Sequence, residues 1–157
     1  MPIPNPTEIT ALISRADRAN HAFMNADPAG SFAMNRHSAD FSIMTPFGGF
    51  TTGGFAPAPD QVAAMARTFT SASTGFDLIA THAADDLLVI AGVERQQAVV
   101  GGLAAQDWSL RVTLVYRRSA EDWELVHRHA DPLVRRIGLD QLARIARGEL
   151  GDGGAAA

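Results

Sequence analysis

Leu110-Arg111-Val112-Thr113-Leu114-Val115-Tyr116-Arg117-Arg118, followed after Ser119 to Asp122 by Trp123-Glu124-Leu125-Val126-His127-Arg128-His129-Ala130-Asp131-Pro132, is the stretch from which the fold is read. Both halves are rich in β-branched and aromatic residues. The segment joining them is short enough for a hairpin, and a parallel pair would need a far longer crossover, so they are expected as antiparallel neighbours. Successive strand side chains point to opposite faces. Trp108, Leu110, Val112, Leu114 and Tyr116 therefore share one apolar face, and Ser109, Arg111, Thr113, Val115 and Arg117 the other. If Arg118 pairs with Trp123, the apolar face continues through Trp123, Leu125, His127 and His129. A shift of one residue inverts that assignment.

Two more β-rich segments precede the hairpin, Phe76 to Ala83 and Leu87 to Val100, the latter with an expected irregularity. Before them, Thr7 is read as the cap of a first helix whose apolar positions Ile9, Leu12, Ile13, Ala16 and Phe23 recur at helical spacing. Asp27-Pro28 opens a shorter helix ending near His37. A strand is expected over Asp40 to Thr45, and Pro46, Gly48 and Gly49 turn the chain toward a short return at Phe50 to Thr52. Asp60 caps a third helix with Val62, Met65, Ala66 and Phe69 as its buried stripe, ending near Ser73 to Gly75. Leu139, Leu142 and Ile145 give a terminal helix stopped by Gly148. Helices, a short strand pair, a helix and a long antiparallel meander make an α+β domain, one sheet face covered by helices. Residues 7–148 are expected to form it, after an extended arm over 1–6 and before a disordered tail over 149–157.

At 157 residues and 46% hydrophobic content, the chain is long enough to bury one continuous core without metal or disulfide support. A net charge of -4 with interspersed signs provides no field for a phosphate backbone, so nucleic acid is not an expected partner. No run approaches the length needed to cross a bilayer and the first residues do not read as a secretion signal, which gives an expectation of a cytoplasmic protein with no membrane partner. The absence of cysteine removes thiolate nucleophiles and thiolate metal ligands. Gly48-Gly49 and Gly53-Gly54 lack the spacing and lysine of a phosphate loop, and no G-x-S-x-G elbow is present.

Histidine is the group left for chemistry. On the expected register His127 and His129 end the apolar face of the hairpin, and His82 ends the face that runs through Phe76, Leu78 and Ala80. An imidazole without a partner is costly to bury, so each ring is either hydrogen-bonded at the sheet end or faces a wet cavity. His127-x-His129, with His82 as a third ligand, also fits a metal, but no carboxylate joins them on that face and no cofactor is expected. In the catalytic reading His127 or His129 moves a proton, Tyr116 or Thr45 orients the substrate and Asp40 is a more distant carboxylate. Phe41, Ile43, Phe69, Leu114 and Trp123 form the apolar wall, suited to a small hydrophobic molecule. Glu94 and Arg111 are candidates for a polar pair inside the domain, and Asp131-Pro132 reads as a turn.

Ser38 to Gly49 resembles the first-strand segment of SnoaL-like proteins in the nuclear transport factor 2-like superfamily, and the hairpin quoted above is similar to that family's closing hairpin. The resemblance runs from Thr7 to about Leu133. It implies a cone-shaped, bent antiparallel sheet wrapped around N-terminal helices, a deep apolar pocket, and a homodimer formed through the outer sheet face. Ketosteroid isomerases share the fold, but the position that resembles their base, before Pro46, is Thr45. The first helix has no tyrosine, and Trp108 to Arg118 contains no acid. The resemblance therefore implies an isomerase, cyclase or hydratase of another kind, or a noncatalytic binding or assembly module.

Overall fold

The first helix begins at Pro6, one residue before Thr7. Asn5 is the cap: its side chain accepts from the backbone N–H groups of Thr7 and Glu8, and Glu8 returns a bond to the Asn5 N–H at 3.0 Å. The computed structural model describes residues 3–120 and 122–149. Its elements are α1 (Pro6–Met24), α2 (Pro28–Met34), β1 (His37–Met44), β2 (Phe50–Thr51), α3 (Pro59–Thr68), β3 (Phe69–Ala84), β4 (Leu87–Val100), β5 (Gln106–Asp107), β6 (Leu110–Arg118), β7 (Trp123–Pro132) and α4 (Leu139–Ala146). The expected arm over 1–6 already contains the first helical residue. The expected tail lies, Glu149 apart, outside the described residues.

Asp27 caps α2 as its sequence suggests, accepting from Gly30 N–H at 2.8 Å. α3 differs: Ala58 is the cap position, Gln61 accepts from its N–H at 2.8 Å, and the helix stops at Thr68. Phe69 starts β3 instead of completing a helical stripe. Asn25, just past α1, holds that early start in place by accepting from Ala72 N–H and donating to Ala72 C=O, a side-chain copy of a strand pairing.

The sheet runs β2-β1-β7-β6-β4-β3, with β5 on β4. Every pairing is antiparallel except β1 with β7, which is parallel because the intervening elements carry the chain back to the same end. α1 packs Leu12 and Ala16 on the inner face, against Phe41, Leu88, Ile90, Leu114, Tyr116, Trp123 and Leu125. Gly92 lies under the Phe76 ring, where a Cβ would come within 2.4 Å of a ring carbon, so the close approach of that ring requires glycine. A second cluster joins Met24 to Ala98 and Val100, with Phe23, Phe69 and Trp108 beside it.

Two of the register irregularities, one in β7 and one in β3, decide which way the imidazoles of those strands face. Arg118 does pair with Trp123 and Tyr116 with Leu125, but Val115 pairs with His127, so Val126 is an extra residue on β7. Beyond it the faces exchange. Leu125, Arg128 and Pro132 point inward, whereas His127, His129 and Asp131 stand opposite the outward-facing Val115, Thr113 and Arg111. On β3 the register slips in the same way: Leu78 pairs with Gly92 and Ala80 with Ala91, leaving Ile79 unpaired. His82 is thereby turned to the outer face opposite Val89. The expectation that all three imidazoles share the apolar inner face is corrected by one extra residue in each strand.

Candidate functional site

Between the inner sheet face and the helices lies a cavity of about 870 Å³. α1 contributes Ala16, Ala19 and Asn20, and the small alanines leave the space that bulkier residues would close. β1 and the loop after it supply Phe41, Ile43, Thr45 and Phe55, α3 supplies Met65, and the far wall is Phe69, Leu114, Leu125 and Trp108. Of the apolar wall expected from sequence, Phe41, Ile43, Phe69 and Leu114 border this cavity. Trp123 is buried outside it, beneath the Arg118 guanidinium at 4.4 Å from the ring centroid. Thr45 sits at the rim, its hydroxyl donating to Gly48 C=O at 2.8 Å. Tyr116 is fully buried behind the wall and donates to Asn35 Oδ1 at 3.0 Å. Burial pushes its phenol up to about 12, against the opposing effect of the Asn35 bond, so it stays neutral.

Of the polar groups the sequence singled out, Glu94 and Thr45 border the cavity, but the partner of Glu94 is Arg128 and not Arg111. Glu94, on β4, is 3% exposed, and Arg128 reaches over β6 to clasp it with two parallel bonds of 2.7 Å. The Glu94–Arg111 pair considered from sequence does not form: Arg111 is on the outer face, 4.0 Å from Asp131. Asp131 is a strand residue of β7, not a turn, and also lies 3.2 Å from His129 Nε2. His127 Nδ1 is 2.7 Å from Ser42 Oγ across the parallel β1–β7 pairing. Asp40 is held by Arg117 and Ser38 on the exposed side of β1, and those bonds keep its carboxyl far below the usual carboxylate range. None of His82, His127, His129, Asp40 or Arg111 borders the cavity. No group of three metal-ligating side chains occurs among the described residues.

His37 is the imidazole that does border it. Phe41 stands edge-on to the ring at 4.3 Å between centroids, with Phe55 at 4.9 Å and Phe32 at 5.7 Å. Its ring nitrogens have no hydrogen-bond partner among the described residues. Burial, and then the positive charge of Arg128, push its pKa down to about 4, so the ring is neutral at pH 7. Toward α1 the wall turns polar again: Asn20 donates to Gln96 Oε1 at 3.0 Å, Gln96 donates to Trp108 C=O at 3.0 Å, and the Trp108 indole N–H has no partner among the described residues. The lining thus combines an aromatic cage around a neutral imidazole, a neutralised ion pair and an amide cluster.

A pH dependence follows. The folded-state pKa of His37 lies below the ordinary 6.5, so between pH 6.5 and 4 the unfolded chain binds the proton and the folded chain does not. The ring's contribution to stability is complete above about pH 6.5 and is lost as pH falls toward 4. At full burial the separation corresponds to about 3 kcal/mol, and partial solvent access reduces it to about 1–2 kcal/mol. Urea denaturation at pH 7 and pH 4.5 is expected to show that much extra loss in the unsubstituted protein relative to His37→Gln. Equal losses in the two proteins would contradict the assignment.

No protein-family model matches the chain, and no curated protein matches it. Solved structures do. The chain is similar to a nuclear transport factor 2-like superfamily protein from Salmonella enterica serovar Typhimurium, with a TM-score of 0.66 and 20% identity over 85% of this chain and 95% of that one. It is also similar to a candidate dehydratase of the same family from Streptomyces avermitilis, with a TM-score of 0.62 and 15% identity over 83% and 100%. A candidate calcium/calmodulin-dependent protein kinase type II association domain from Thiobacillus denitrificans gives 0.58 and 21% over 83% and 97%. At these identities the likeness establishes the fold, which is nuclear transport factor 2-like.

Proposed function

We propose, taking the nuclear transport factor 2-like fold as the premise, that the protein binds a small, mostly apolar molecule in its inner cavity and orients it through His37. The observation that carries this reading is a neutral, unbonded imidazole facing about 870 Å³ of largely apolar space. A second reading, acid/base turnover, is favoured by the same free ring and by the likeness to a candidate dehydratase. A ring with a pKa near 4 is a weak base, so turnover by it would rise with pH and level off above about pH 5.

4-Phenylbutan-2-one, which carries one carbonyl on an apolar body, tests both. By titration calorimetry the protein is expected to bind it, His37→Gln to weaken binding about tenfold, and His127→Gln or His129→Gln to leave it unchanged. Weakening by the His127 or His129 change instead of the His37 change would overturn the assignment. Incubation in D2O separates the two readings: exchange of the protons α to the carbonyl, lost in His37→Gln, supports proton transfer, and binding without exchange supports a noncatalytic binding protein.

The three imidazoles and the half-buried Val89, Ala91, Thr113 and Val115 belong on this reading to an interface, a homodimer joined through the outer sheet face. Likeness to the kinase association domain supports an assembling protein. Val115→Arg would place a charge in the centre of that face, so sedimentation is expected to show a dimer for the unsubstituted protein and a monomer for the variant, with ketone binding retained. A variant that stays dimeric would remove this face from the interface.

A further inference from the structure

We infer that Glu94 sets the ligand class of the cavity: by occupying the fork of Arg128 it excludes carboxylates and leaves the site to neutral molecules bearing a carbonyl or hydroxyl. This rests on the reading of the cavity as a ligand site. Among the described residues the ionisable groups on the lining are His37, Glu94, Asp107 and Arg128. His37 is neutral. Asp107, at the β5 rim, is held ionised by the Ser109 hydroxyl and N–H. Arg128 is the one cation, and its guanidinium already gives two charge-assisted bonds to the two oxygens of Glu94. Burial disfavours its charge, but the adjacent carboxylate outweighs burial and raises its pKa.

An incoming carboxylate therefore meets a wall with two negative charges and one positive charge that is already engaged. To dock on Arg128 it must displace Glu94, whose side chain is 4% exposed and would be left unpaired beside a second anion. A neutral carbonyl or hydroxyl needs no such displacement. It can use the free nitrogens of His37, and the donors of Arg128 that Glu94 does not use, since a guanidinium has five and the clasp takes two. Without Glu94 the same guanidinium becomes a planar fork suited to a carboxylate.

A pair of isosteric probes tests this by calorimetry on the full chain at pH 7.5: 4-phenylbutan-2-one and 3-phenylpropanoate, which differ by a methyl in place of an ionised oxygen. The unsubstituted protein is expected to bind the ketone at least about tenfold more tightly than the carboxylate. Glu94→Gln should raise the carboxylate-to-ketone affinity ratio by about tenfold or more. The double variant Glu94→Gln/Arg128→Met should lose that gain, assigning it to the freed fork. Equal binding of the two probes by the unsubstituted protein overturns the inference even if the variant does not fold. Ketone binding by both proteins with no carboxylate gain in Glu94→Gln overturns the inference and leaves the cavity reading intact, and failure of both probes to bind either protein overturns the two together.

Discussion

Arg128→Met is expected to lower the unfolding free energy by about 2–4 kcal/mol, and Glu94→Leu/Arg128→Met to recover most of that loss. Removing one partner of a buried ion pair leaves an uncompensated charge, which typically costs about 3–5 kcal/mol. Arg128→Met strands the Glu94 carboxylate, whose side chain is 4% exposed and cannot hydrate, while the methionine keeps most of the apolar contacts of the arginine stem and so moderates the loss. Removing both partners removes the stranded charge, and apolar replacements are compatible with the surrounding Leu110, Val112 and Leu114. Urea denaturation of the two singles and the double closes a cycle. A double variant less stable than Arg128→Met alone would contradict the picture of a charge pair that specifies the site more than it stabilises the fold.

Phe41→Ala is the second large effect. Phe41 is 1% exposed, sits where β1 lies along β7, and places its ring against His37 and Phe55. A buried phenylalanine truncated to alanine costs about 3–5 kcal/mol through lost burial and the space left behind. For a chain of this length each kcal/mol moves the melting temperature by about 2–4 °C, so a fall of about 6–20 °C is expected. The same change enlarges the wet space beside His37, and its pKa, followed by NMR of the ring protons, should climb from about 4 toward the ordinary value. A melting temperature within about 2 °C of the unsubstituted protein would show that Phe41 is not a keystone of this wall.

The architecture was legible because it depends on patterns that survive small errors. The pairing of Arg118 with Trp123, the alternation through β6 and the periodicity of α1 each extend over many residues. One helix boundary was lost where Phe69 suits a helical stripe and a strand equally well, and only the Asn25 bridge to Ala72 decides between them. The site was less legible for a sharper reason. Val126 and Ile79 are ordinary strand formers, and nothing in their chemistry marks them as the extra residue of a bulge. Yet each reverses the direction of every side chain after it, which carried His127, His129 and His82 out of the cavity and Arg128 into it.

Glu94 and Arg128 belong to strands that are not neighbours, so no pairing rule joins them before the sheet is assembled. His37 was hard to read for a related reason: the β1–β7 register is irregular between His37 and Ser42, and a strand begun at Asp40 leaves the ring at the end of the preceding helix. The fold determined which face is hollow, and single-residue insertions in β3 and β7 turned His82, His127 and His129 away from it and Arg128 toward it.

Intermolecular NOEs from the phenyl protons of bound 4-phenylbutan-2-one to assigned histidine ring protons test that central claim most directly. The account predicts contacts to His37, and none to His127 or His129. Contacts to either of the β7 imidazoles, with none to His37, would contradict it.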